Sequence, residues 1–131
     1  MIVVDTSAVL RALIGRPVDV PLIERIRDEE LHAPHLIDVE IVHALRRLVS
    51  DGRLAEDRAD DARADFVDLA IVRYPHHPLI ERMWDLRHNL SAYDAAFVAL
   101  GEALGVPLIT SDRRLAGAAG HQATIELFDG R

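Results

Sequence analysis

The chain contains neither cysteine nor lysine. The first absence excludes disulfides and thiolate metal sites, and it suits a reducing cytosol. The second leaves arginine as the whole basic complement, 15 residues, and arginine's planar fork suits phosphate oxygens better than an ammonium group does. No apolar run approaches the ~20 residues of a membrane span. The opening Met1-Ile2-Val3-Val4-Asp5 lacks the basic start and longer apolar stretch of a signal peptide. The expectation is a soluble, cytoplasmic protein with no membrane partner. A Gly-rich phosphate loop is missing, and Thr6-Ser7 has no evident histidine partner for nucleophilic catalysis. The formal net charge of −7 speaks against nucleic-acid binding by bulk attraction. Acidic residues that hold divalent cations, however, no longer count as net negative once loaded.

What is present is an ordinary globular composition, half of it hydrophobic, in 131 residues. That is one domain's worth, spanning 1–131. Ile2-Val3-Val4 is a short β-branched run that reads as a buried strand. A helix over 8–13 follows, broken at Gly15-Arg16-Pro17. A second helix over 20–30 has Pro21 near its first turn. Leu31 to Ala33 is a short strand. His35 to Ser50 and Leu54 to Leu69 are amphipathic helices, the second with a solvated acidic face. Ala70 to Tyr74 is a strand, and His76-His77 falls in a loop between prolines. Leu79 to His88 is helical, and Trp84 and Phe97 are expected in the core. Ser91 opens a helix that Gly105 ends. Val106 to Thr110 is a strand, Ser111-Asp112 starts a short helix, and Thr124 to Leu127 is a last strand. Strands alternating with helices indicate an α/β domain with a parallel central sheet.

Ligands of such sheets bind beyond the carboxyl ends of the strands. Asp5 and Asp112 each stand just past a predicted strand. Asp94 lies three residues into a helix, at the spacing of a capping box with Ser91. Glu40 sits on one shoulder of its helix's apolar stripe, roughly 80° from the centre, and Asp38 sits on the other, so periodicity does not choose between them. Each acid alone is explained by capping or solvation. Together they suggest an oxygen-lined pocket. Carboxylates crowded within a few ångström repel one another, and a hard divalent cation such as Mg²⁺ or Mn²⁺ relieves that repulsion.

Four segments in order, Ile2-Val3-Val4-Asp5-Thr6-Ser7-Ala8, Pro34 to Arg46 around Glu40, Leu90-Ser91-Ala92-Tyr93-Asp94-Ala95-Ala96-Phe97-Val98-Ala99-Leu100, and Pro107-Leu108-Ile109-Thr110-Ser111-Asp112-Arg113-Arg114-Leu115, give the chain its resemblance to PIN-domain ribonucleases of the VapC toxin type. The resemblance covers almost the whole length. It implies a three-layer α/β sandwich and metal-dependent hydrolysis of RNA that leaves a 5′-phosphate and a 3′-hydroxyl. It implies Asp5 and Asp94 as metal ligands, Asp112 binding directly or through water, and Glu40, rather than Asp38, completing the pocket and orienting the attacking water. Thr110 and Ser111 would hold the last acid or a water. A small VapB-type antitoxin, a homodimer, and transfer, ribosomal or messenger RNA as substrate are implied as partners. Arg46, Arg47, Arg87, Arg113 and Arg114 are candidate phosphate contacts.

Other readings compete. Receiver domains and haloacid-dehalogenase-type phosphatases also place Asp past parallel strands, but both usually need a lysine near the phosphoryl group. A non-catalytic binding module predicts no metal dependence. A PIN-type RNA-processing nuclease without an antitoxin shares every site residue.

Overall fold

The computed structural model describes residues 1–130. Five strands, β1 (Ile2–Val4), β2 (Leu31–Pro34), β3 (Ile71–Tyr74), β4 (Leu108–Thr110) and β5 (Ile125–Leu127), alternate with seven helices. These are α1 (Thr6–Ile14), α2 (Val20–Arg27), α3 (Leu36–Ser50), α4 (Glu56–Asp68), α5 (Ile80–Asp85), α6 (Ala92–Leu104) and α7 (Arg113–Ala116). All strand pairs are parallel, in the order β3-β2-β1-β4-β5. The α/β domain with a parallel sheet read from the alternation, and the sandwich that the resemblance implied, are both present.

The strand order carries the functional geometry. From β1 the chain winds outward through β2 to β3, then returns to lay β4 on the other side of β1. The winding therefore reverses between β1 and β4. At such a reversal the flanking connections leave the sheet on opposite faces and open a crevice at the strands' carboxyl ends. Val3 aligns with Leu108 and Val4 with Ile109, and the Asp5 N–H donates to the Ile109 carbonyl at 3.1 Å. Asp5 and Thr110-Ser111-Asp112 thus share one edge.

Helices cover both faces, α1, α3 and α4 packing on one another and α5 packing on α6. The central layer excludes water: Ile2, Val3, Val4, Leu108 and Ile109 are fully buried. Fully buried parallel strands read as continuous apolar runs, which is why these strands were visible in the sequence. Helix α6 crosses beneath β1, β2 and β4 with seven consecutive buried residues, Ala95 to Gly101. Small side chains on most of its faces let it sit that deep. It ends at Gly105, whose φ of +66° is the left-handed conformation that glycine adopts without a Cβ penalty.

Three expectations change here. Trp84 is not in the core: it is 65% exposed, with the Arg87 guanidinium 4.4 Å over its ring. The helix expected over 79–88 is regular only over Ile80–Asp85, preceded by a 3₁₀ turn at His77–Leu79. That shorter helix faces inward through Met83 and the buried Leu79 and Leu86 that flank it, leaving Ile80 and Trp84 outward. His76 is also more than a loop residue. Helix α3 begins after His35, which offers no side-chain cap, and the His76 ring takes that place, its Nε2 accepting the Leu36 N–H at 2.9 Å. The accepting nitrogen must be unprotonated, so the ring carries its proton on Nδ1. His76→Ala is expected to cost about 1 kcal/mol, the usual loss for an N-cap. A denaturant midpoint unchanged from the parent would show that water replaces the ring at no cost.

Candidate functional site

Four acids meet at the β1/β4 crevice, each delivered by the amino end of a different helix. Asp5 caps α1, Asp112 caps α7, Asp94 lies in the first turn of α6, and Glu40 lies in the second turn of α3. In a parallel sheet the helix that follows a strand starts at that strand's carboxyl end, so helix amino ends collect on the ligand-binding edge. Their partial positive charge offsets part of the repulsion among the carboxylates.

Asp5 is the anchor. It is 5% exposed and its carboxylate accepts three bonds. Oδ1 takes the Ala8 N–H at 2.8 Å and the Ser7 hydroxyl at 2.7 Å, while Oδ2 takes the hydroxyl of fully buried Thr110. Each hydroxyl has one proton, and both go to Asp5. The two oxygens then act as acceptors: Ser7 Oγ from the Ser111 N–H at 3.0 Å, and Thr110 Oγ1 from the Asp112 N–H at 3.0 Å. One network therefore ties the turn after β1 to the turn after β4. Despite three donors, burial pushes the Asp5 carboxyl up to about 6, and the charge of Asp112 adds to the rise. Desolvation of the charged form outweighs its hydrogen bonds.

Glu40 accepts the Thr6 hydroxyl on Oε1 at 2.6 Å. Its carboxyl is raised above the ordinary value, chiefly by burial, opposed by Thr6 and reinforced by the Asp94 charge. Asp94 is raised as well, again first by burial; Arg114 opposes the rise and Asp112 adds to it. These couplings run Glu40 to Asp94, Asp94 to Asp112 and Asp112 to Asp5, so the four form one electrostatic group. Asp38 does not join it. Its carboxylate pairs with Arg73 of β3 at 2.8 Å. The tie that helical periodicity left between Glu40 and Asp38 is broken by where each side chain finds its partner.

The candidate phosphate contacts divide similarly. Arg46 lines a groove between α3 and α4, Arg47 a second one against Leu10 of α1, and Arg87 covers Trp84. Arg113 pairs with Asp129 through Nε and Nη2. Arg114 alone of the five reaches the cluster, with Nη2 3.3 Å from Asp94 and 3.4 Å from Asp112. Only the folded structure shows this bridge, because the two acids it spans are far apart in sequence.

Whether these residues suit a divalent cation is answered by their chemistry. Every available donor is an oxygen, the preference of Mg²⁺ and Mn²⁺. Three of the four carboxyls resist ionisation as they stand, which a cation would reverse. The Ser111 hydroxyl, next to Asp112, is buried with no partner among the described residues, an arrangement that ordinarily signals a water or ion bound nearby. Among the described residues no group of three or more His, Asp or Glu side chains is placed to hold a metal ion. Mg²⁺ commonly uses one or two carboxylates and keeps its waters, so a pair of these oxygen donors suits the ion in kind.

No helix among the described residues is long and apolar enough to cross a membrane. The PIN domain family matches residues 2–120. Ribonuclease VapC1 of Mycobacterium tuberculosis is 46% identical over 127 residues, 95% of this chain and 96% of that protein. Ribonuclease VapC12 of the same species is 39% identical over 127 residues, 97% of this chain and 98% of the relative. Among solved structures, PAE2754 from Pyrobaculum aerophilum superposes with a TM-score of 0.71 at 24% identity, covering 95% of this chain and 81% of that one, a likeness of fold. With a crevice of the right kind and relatives matching nearly end to end, the chain belongs to the PIN-domain family, in its VapC ribonuclease branch.

Proposed function

We propose that the chain is a metal-dependent endoribonuclease acting in the cytoplasm as the toxin of a VapBC-type pair. The observation that carries this reading is the convergence of Asp5, Glu40, Asp94 and Asp112 on the β1/β4 crevice, with Asp5 buried and its carboxyl raised to about 6. Asp5 and Asp94 would hold Mg²⁺ or Mn²⁺, with Asp112 binding directly or through water. The cation, when bound, neutralises charge that gathers on the scissile phosphate and acidifies water at the site.

The chain's own groups do the rest. Ser7, Thr110 and the Ala8 N–H fix both oxygens of Asp5. Such fixed dipoles need no reorganisation during reaction. Thr6 holds Oε1 of Glu40 and leaves Oε2 without a partner among the described residues. Oε2 is therefore open to accept a proton from water at the site. Water attacks phosphorus in line with the departing 3′-oxygen, and its proton passes to Glu40 Oε2. The P–O3′ bond breaks, and solvent protonates the leaving oxygen. The products are a 5′-phosphate and a 3′-hydroxyl, and the 2′-hydroxyl takes no part.

A VapB-type antitoxin and a second copy of the chain are the expected protein partners. Val39 and Val42 stand exposed on α3. Val42, with Leu45 and Val49, faces Ala59 of α4 across a groove of about 340 Å³ that Arg46, Glu56, Asp60 and Arg63 also line, a surface suited to an amphipathic peptide segment. The test is cleavage of total cellular RNA with Mg²⁺ or Mn²⁺ and with EDTA, comparing Glu40→Gln with Asp38→Asn. The expected result is discrete cleavage abolished by EDTA, reduced about 100-fold or more by Glu40→Gln and nearly untouched by Asp38→Asn. Cleavage that persists in EDTA, or equal loss in both variants, would refute the assignment.

A further inference from the structure

Most arginine–carboxylate pairs in the molecule are short and partly shielded: Arg11–Asp19 at 2.7 Å, Arg25–Glu126 at 2.8 Å, Arg73–Asp38 at 2.8 Å and Arg82–Glu102 at 2.7 Å. Arg114 is different. Its side chain is 79% exposed, and its Nη2 stands 3.3 Å from Asp94 Oδ2 and 3.4 Å from Asp112 Oδ2, bonding tightly to neither. Its backbone, by contrast, is fixed: the Arg114 N–H donates to Asp112 Oδ1 at 2.9 Å. The side chain thus hangs from a rigid point two residues past one acid and reaches across to a second acid on α6. It closes one side of a small cavity of about 60 Å³ lined by Ser91, Asp94 and Leu115. Arg113, one residue earlier, has no such freedom, because Asp129 engages both its Nε and its Nη2.

A guanidinium and a divalent cation cannot share the same carboxylate oxygens without strong repulsion. The stretched, solvated pairing of Arg114 is weak, so it yields. We propose that Arg114 alternates between two partners: the carboxylates of Asp94 and Asp112 when the site lacks its cation, and a phosphate of the RNA once the cation has taken those oxygens. The inference rests on the metal-dependent nuclease reading above. Its consequence is that one side chain opposes metal loading and then favours substrate binding. A residue that merely stabilises the fold would not act in opposite directions on the two ligands.

The experiment has two arms, run on metal-stripped wild type, Arg114→Ala and Arg113→Ala. In the first, Mn²⁺ alone is titrated by calorimetry. Arg114→Ala is expected to bind it about two- to fivefold more tightly, the range an exposed ion pair allows, and Arg113→Ala to match wild type. In the second, a fluorescein-labelled single-stranded oligoribonucleotide is titrated in Ca²⁺ and followed by anisotropy at several salt concentrations. Arg114→Ala is expected to bind more weakly, with the slope of log K against log salt reduced by about 0.7, one phosphate contact on a single strand. Equal Mn²⁺ affinity in Arg114→Ala and wild type overturns the exchange, and so does an equal gain in Arg113→Ala, which would reveal diffuse charge alone. An unchanged salt slope removes the phosphate partner. Wild type that binds no Mn²⁺ at all would instead sink the metal site beneath the proposal.

Discussion

Asp5→Asn is expected to lose cleavage by about 10²–10³-fold or more while gaining stability in the metal-free state. The two effects share a cause. Asp5 is buried beside other acids, and its carboxyl titrates near 6 rather than at the ordinary 3.8. The folded state therefore holds the Asp5 proton more tightly than the unfolded chain does. Stability from this group is fully present below about pH 4, falls as pH rises toward 6, and stays lost above it. The shift corresponds to a penalty of up to about 3 kcal/mol at neutral pH, which the neutral amide escapes. Part of that gain is returned, because the amide cannot accept bonds from Ser7, Thr110 and Ala8 on both of its ends. Denaturant titrations in EDTA at pH 4 and pH 7.5 test this. The stability difference between variant and parent should be small or negative at the lower pH and shift in the variant's favour at the higher. A variant that loses activity and is destabilised equally at both values would point to broken packing rather than relieved charge.

Metal affinity should depend steeply on pH. A cation needs its carboxylates ionised, and Asp5, Glu40 and Asp94 are all raised, burial being the first cause in each. With Asp5 near 6, lowering the pH from 7 to 5 leaves only about a tenth of that group ionised. Mn²⁺ affinity should fall about tenfold from Asp5 alone, and further as Glu40 and Asp94 take up protons. Calorimetry in two buffers of different ionisation enthalpy will show proton release on binding near pH 6, fading toward pH 8. Affinity that stays constant from pH 5 to pH 7 would mean the carboxylates are ionised before the metal arrives.

The strands and helices were legible because each is written in local pattern. Ile2-Val3-Val4 and Leu108-Ile109 are apolar without interruption because both faces of the sheet are covered. Ser91 and Gly105 mark the ends of α6 because one caps an orphan N–H and the other accepts a positive φ. Asp5 and Asp112 were visible as candidates because they follow strands. What stayed hidden depends on which elements become neighbours. Local pattern carries no strand order, so the reversal between β1 and β4 could not be read. Helical periodicity placed Glu40 and Asp38 symmetrically; the resemblance favoured Glu40, and the physical difference lies in Thr6 and Arg73, brought in by other elements. The His76 cap on α3 spans 40 residues. Trp84 misled because an aromatic at helical spacing usually points inward, whereas this short helix buries its other side.

The central strand β1 is synthesised before both of its neighbours, β2 and, much later, β4. While a ribosome is making the chain, β1 can pair with β2 early, but its other edge stays open until Leu108 and Ile109 emerge. Asp5 gains its Thr110 bond, and its electrostatic neighbour Asp112, at that same late moment. An unfinished chain therefore cannot assemble the four-acid crevice, whatever the fraction already folded. The reaction proposed for it can begin only once the segment through Asp112 has been made.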